Sequence, residues 1–141
     1  MIEAAPRVIV AGIGCTSRAT ADEIVGLILA TLAEAGRSSQ SLACLASLDS
    51  RTGAAPLRLA ARRLAVPLHG FTPAELAAED QRLATPSELV AGLLGAAGIA
   101  EAAALKAGTL LMPKRKSGNV TCALGLASAA LDLQHFGREA S

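Results

Sequence analysis

Apolar positions along this chain fall into two kinds of run: short unbroken stretches rich in β-branched residues, and longer ones in which apolar residues return every three or four positions. Arg7-Val-Ile-Val-Ala-Gly-Ile-Gly14 is of the first kind, the pattern of a strand buried on both faces of a parallel sheet. It is predicted as the first, central strand. Thr20 and Glu23 then form a Thr-x-x-Glu capping signal, and Ile24, Leu27, Ile28 and Leu32 share one helical face before Gly36, which predicts a helix packed by one side. Leu42 to Leu48 repeats the strand pattern, and Pro56 opens a second helix with Leu57, Ala60, Ala61 and Leu64 on its inner face. Val66 to Phe71 predicts a short strand, placed at a strand start or sheet edge because Pro67 lacks a donor.

Two further helix starts follow, Thr72-Pro-Ala-Glu75 and Thr85-Pro-Ser-Glu88, each with a Thr cap and Pro at the first helical position. The alanine-rich stretch Ile99 to Ala107, bounded by Gly98 and Gly108, predicts a short helix. Thr109–Met112 and Asn119–Leu124 predict strands joined by the connection from Pro113 to Gly118, which makes them an antiparallel hairpin. The element order predicts a three-layer α/β/α fold with a mainly parallel mixed sheet and a C-terminal antiparallel hairpin. No linker or low-complexity tract divides it, so residues 1–141 are expected to form a single domain. In such sheets ligands sit outside the carboxyl ends of the strands.

Composition narrows the functional classes. The chain has two Phe and neither Tyr nor Trp, so it lacks the stacking platforms of single-strand binders, and a net charge of +1 offers no field for phosphate backbones. No nucleic-acid partner is expected. The best apolar run, Ile24 to Ala33, is closed by Glu23 and Glu34 and falls short of the roughly 20 residues of a membrane span. A secretory signal is not apparent, because Glu3 precedes a short apolar run that ends in Gly14-Cys15. Three cysteines, Cys15, Cys44 and Cys122, are odd in number and lack CxxC spacing, so neither a disulfide framework nor a zinc site is indicated, and a cytoplasmic setting is expected. His69 and His135 add no metal-ligand pattern, and no cofactor is expected.

Chemistry-bearing residues cluster after the first two predicted strands. Gly12-x-Gly14 followed by Ser17 is half of a dinucleotide fingerprint, without its third glycine or the acid about twenty residues on. It leaves two readings: an approach to backbone N–H groups near a helix start, or a tight turn with nothing bound. Cys15 is either a thiol activated by that helix start or a small buried residue. Ser47, Asp49 and Arg51 bring hydroxyl, carboxylate and guanidinium groups to the same predicted edge, as a cleft wall or an ordinary polar loop. Glu101 lies in the first turn of the alanine-rich helix, where a carboxylate gains from the dipole. Lys114, Arg115 and Lys116 are the one basic cluster, a clamp for a polycarboxylate or a solvated loop tip.

Taken in order, Gly12-Ile-Gly-Cys15, Glu23-Ile24, Ala46-Ser-Leu-Asp49, Ala100-Glu-Ala-Ala-Ala104, and Lys114 followed by Asn119-Val-Thr-Cys-Ala123 resemble the CobE/CbiG C-terminal domain family of cobalamin biosynthesis. The resemblance covers about Arg7 to Ala127. Arg51 and Ala54 stand where the family pattern has a Lys and a Glu. The larger CbiG proteins join such a domain to others, and as wholes they open the lactone of cobalt-precorrin-5A and release acetaldehyde. A stand-alone, CobE-like chain is the form this sequence resembles. The resemblance implies a precorrin or corrinoid ligand bound by Gly12, Gly14, Cys15, Thr16, Ser47, Asp49, Arg51, Lys114 and Thr121, with cobalamin-pathway enzymes as partners. Were the chain a lactone hydrolase, Glu101 would be the base, Cys15 a second catalytic candidate, and the backbone from Gly12 to Cys15 the oxyanion donor. Outside the family, a small nucleotide-binding domain is the remaining alternative.

Overall fold

The computed structural model describes residues 7–79, 96–128, 136 and 138–139; of 96, 97, 138 and 139 it describes the backbone. Six strands form one sheet in the order β4-β5-β1-β2-β3-β6, with β1 Ile9–Cys15, β2 Leu42–Leu48, β3 Leu68–Phe71, β4 Thr109–Ser117, β5 Val120–Leu126 and β6 Arg138–Glu139. β1, β2 and β3 are parallel neighbours. The hairpin β4–β5 adds antiparallel beside β1, and β6 adds antiparallel beside β3. The mixed three-layer fold expected from the sequence is therefore present, with the hairpin docked on the central strand. The helices among the described residues are α1 Ala21–Glu34, α2 Ala55–Arg63, α3 Pro73–Ala77 and α4 Ala96–Leu105.

Strand alternation divides the core. Ile9, Ala11, Ile13 and Cys15 face α1 and α2, where they meet Ile24, Ile28, Leu32, Leu45 and Leu57. Val10 faces the other way, toward Leu76, Ile99, Ala102 and Phe136. On that second face the sheet and helix come unusually close: a Cβ on Gly12 would collide with the Ala100 carbonyl and lie 2.7 Å from the Ala104 nitrogen. Gly125 meets the Ala104 carbonyl in the same way. Alanines on α4 and glycines on the strands thus let two backbones touch.

Three local expectations are revised. α4 begins at Ala96 and runs through Gly98 rather than starting after it. β4 continues through Pro113 to Ser117, so the basic cluster is strand, not loop, and the hairpin turns at Gly118-Asn119. An edge strand tolerates proline because its outward N–H needs no partner, and the register shift between Met112 and Arg115 absorbs it. The Thr20–Glu23 cap is half made: Thr20 Oγ1 accepts from the Glu23 N–H at 3.2 Å, but the Glu23 carboxylate points elsewhere. Thr72 and Glu75 do form a complete capping box on α3. The predicted start at Thr85-Pro-Ser-Glu88 and the residue His135 lie outside the described residues.

Candidate site at the carboxyl edge of the sheet

β1, β2 and β3 are parallel, so their following loops emerge at one edge. The hairpin turn reaches the same edge, because Cys15 at the end of β1 pairs with Val120 at the start of β5. Thr16 ties the two together: its N–H donates to the Asn119 carbonyl at 2.9 Å and its hydroxyl to Asn119 Oδ1 at 3.1 Å. Glu23 closes the clasp from α1. Its Oε2 accepts from the Ser117 hydroxyl and the Asn119 N–H, both at 2.8 Å. These bonds, led by the Asn119 N–H, hold the Glu23 carboxyl below its ordinary value.

The expected site residues divide between the two faces of the sheet at this edge. On the α1 and α2 side stand Cys15, Ser47, Asp49 and Arg51. Ser47 is fully buried and its hydroxyl donates to the Ile13 carbonyl at 2.6 Å, tying β2 to β1. Asp49 begins a 3-10 turn, Asp49–Arg51, and its carboxylate occupies the space a side chain at Gly70 would need. Arg51 is exposed and acts electrostatically on Cys15. The Cys15 thiol is nonetheless pushed up from 9.0, because burial outweighs the arginine. Burial and the raised pKa of Cys15 side with the small buried residue over the activated thiolate. Burial pushes Cys44 and Cys122 up to about 12.

On the α4 side stand Gly12, Gly14, Thr121, Glu101 and Lys114. Gly14 pairs with Thr121, and Thr121 with Lys116. At Gly12 the anticipated ligand approach is taken by α4 itself. Glu101 is fully buried, and its Oε2 accepts the Lys114 N–H at 3.1 Å where the β4 register shifts. It is a helix-borne carboxylate that holds an edge-strand N–H. Arg115, on the opposite side of β4, pairs with Glu34 at 2.8 Å.

Glu23 and Asn119 organise this edge, although the sequence marks Glu23 first as a helix-cap acid. The signal available was that Glu23 and Asn119 both fall in segments that carry the family resemblance, far apart along the chain. Among the described residues, no three His, Cys, Asp or Glu gather as metal ligands, and no helix is long and apolar enough to cross a membrane.

A mixed α/β/α sheet with polar loops gathered at its carboxyl edge defines a small α/β domain of the kind that places a ligand site beyond its strand ends. Residues 9–125 match the family described as the cobalamin synthesis G C-terminus. The chain is 39% identical over 120 residues to Protein CobE of a Sinorhizobium species, covering 82% of this chain and 78% of that protein. It is 33% identical over 124 residues to the cobalt-precorrin-5A hydrolase of Priestia megaterium, covering 86% of this chain but 33% of that enzyme. The crystal structure of CobE, a protein from the cobalamin (vitamin B12) biosynthetic pathway, superposes with a TM-score of 0.72 at 31% identity, covering 92% of this chain and 96% of CobE. The chain belongs to this family and is a cobalamin biosynthesis protein of the CobE/CbiG type.

Proposed function

We propose that the chain binds a precorrin or corrinoid intermediate at the carboxyl edge of its sheet, in a CobE-like role. The observation that carries this reading is the meeting there of the β1–α1 loop, the Asp49–Arg51 turn and the hairpin turn, clasped by Glu23, Thr16 and Asn119. A corrin is an apolar ring fringed with carboxylate arms. Arg51 and Lys114 would meet carboxylates, Thr16, Asp49 and Thr121 would supply hydrogen bonds, and the Gly14–Cys15 backbone would border the ring.

Hydrolysis is the second reading, favoured by the likeness to the Priestia megaterium enzyme, of which this chain spans about a third. Three features support binding over turnover. Cys15 carries a raised pKa, the Ser47 hydroxyl is committed to a backbone carbonyl, and the Glu101 carboxylate is buried on the Lys114 N–H. The discriminating experiment is a titration with precorrin intermediates and hydrogenobyrinic acid, followed by visible spectrum and product mass. A spectral shift with unchanged mass is expected, weakened as salt screens the arginine and lysine contacts. Acetaldehyde release with altered mass, abolished by Glu101→Gln, would replace this reading with the hydrolase. Absence of any shift would overturn both.

A further inference from the structure

The outer face of α2 carries a groove that none of the site residues above explains. It encloses about 430 Å³ and is lined by Gly53, Ala55, Arg58, Leu59 and Arg62. Ala55, Arg58, Leu59 and Arg62 fall on one face of a helix with 3.6 residues per turn, so the groove runs along α2 for roughly 10 Å. Arg58 and Arg62 are four residues apart, a spacing at which like charges destabilise a helix. No ion pair among the described residues includes either of them. Nearby Arg63, by contrast, pairs with Asp22. Beside the two guanidinium groups Leu59 is 47% exposed, an apolar surface next to two forked donors.

We infer that this groove is a carboxylate-binding site, continuous through Gly53 with the Arg51 turn, that receives peripheral carboxylate arms of the macrocycle. The identity of the ligand rests on the corrinoid reading above. Gly53 is two residues from Arg51, so the groove begins next along the chain to the turn that carries Arg51, and Arg58 and Arg62 follow it down α2. A guanidinium binds a carboxylate through two parallel N–H···O bonds, and Leu59 offers contact to the methylenes of an acetate or propionate arm. A ligand spanning both places would be held by its ring at the edge and by its arms along the helix.

Two measurements test this on the full chain. In the first, arginine Nε–H resonances are followed by NMR during titration with tricarballylate, a simple tricarboxylate. Arg58 and Arg62 are expected to shift saturably, more than with sodium chloride at equal ionic strength; an identical response to both salts would overturn the groove. In the second, the double variant Arg58→Gln with Arg62→Gln is titrated with hydrogenobyrinic acid, whose arms are free carboxylates, and with cobinamide, whose arms are amidated. Loss of about tenfold or more in affinity for the acid is expected, with cobinamide unaffected. Wild-type affinity of the variant for the acid would overturn the groove and leave the corrinoid reading standing. Saturable tricarballylate shifts without corrinoid binding by the wild type would keep the groove and remove the corrinoid reading.

Discussion

Gly12 and Gly125 both face α4, and the backbone of Ala104 touches both positions. A methyl group at Gly12 has nowhere to go, because what it meets is backbone rather than a movable side chain. Gly12→Ala is therefore expected to lower stability by ~3 kcal/mol in urea unfolding, in the manner of an overpacked core. Gly26, exposed on α1, is the control, because a Cβ added there would meet nothing within 4 Å. Gly26→Ala should be neutral or stabilising by up to about 1 kcal/mol, since alanine is the better helix former. At the same scale, burial decides the chemistry of the thiols. Cys15 sits beside a guanidinium and still has its pKa raised, so proximity to a cation is outweighed by loss of water.

Helix ends show how one motif is built from different residues. α1 finishes in a Schellman motif, with the Arg37 N–H donating to the Leu32 carbonyl at 2.9 Å and Gly36 at φ 70 in the left-handed region. α2 finishes with the same pair of bonds, Val66 to Ala61 and Ala65 to Arg62, both at 3.1 Å. Here, however, the left-handed residue is Ala65, at φ 57. An alanine Cβ is strained in that conformation. Ala65→Gly is expected to raise stability by about 0.5–1 kcal/mol, the relief of strain being partly offset by the freer unfolded chain. A raised midpoint in urea with an unchanged slope checks it. Proline behaves comparably at the scale of a strand: Pro113 would break an interior strand, but at the edge it leaves β4 running on to Ser117.

Across the whole molecule, Glu23 joins α1 to the hairpin, bonding residues 94 and 96 positions further along the chain. Its depressed pKa makes that link dependent on pH. A carboxyl whose folded pKa lies below its ordinary 4.5 stabilises the fold above that value and loses the contribution as pH falls through the folded pKa. Wild type should therefore be more stable than Glu23→Gln at neutral pH, and the gap should close as pH falls below 4.5. Urea midpoints of both proteins across pH 3 to 7 measure this, and a gap that persists in acid would detach the clasp from the Glu23 charge. The exposed pairs Arg63–Asp22 and Arg115–Glu34 are expected to matter little, as solvent screens both.

Elements with local signals were legible in the chain before any fold was seen. The continuous apolar runs of β1 and β2, the Thr-Pro start of α3 and the proline opening α2 each state their structure within a few residues, because hydrophobic period and capping are short-range effects. The mixed α/β/α class followed from their order, and the family was legible because short motifs recur in sequence. Long-range relations came from the packing alone. It reveals that Gly12 admits a helix, that Ser47 spends its hydroxyl on the Ile13 carbonyl, and that the candidate residues divide between two faces of the sheet. The Glu23 clasp likewise depends on which groups meet across the fold. Local sequence carries a residue's chemistry, but its partners are set by contacts between segments distant along the chain.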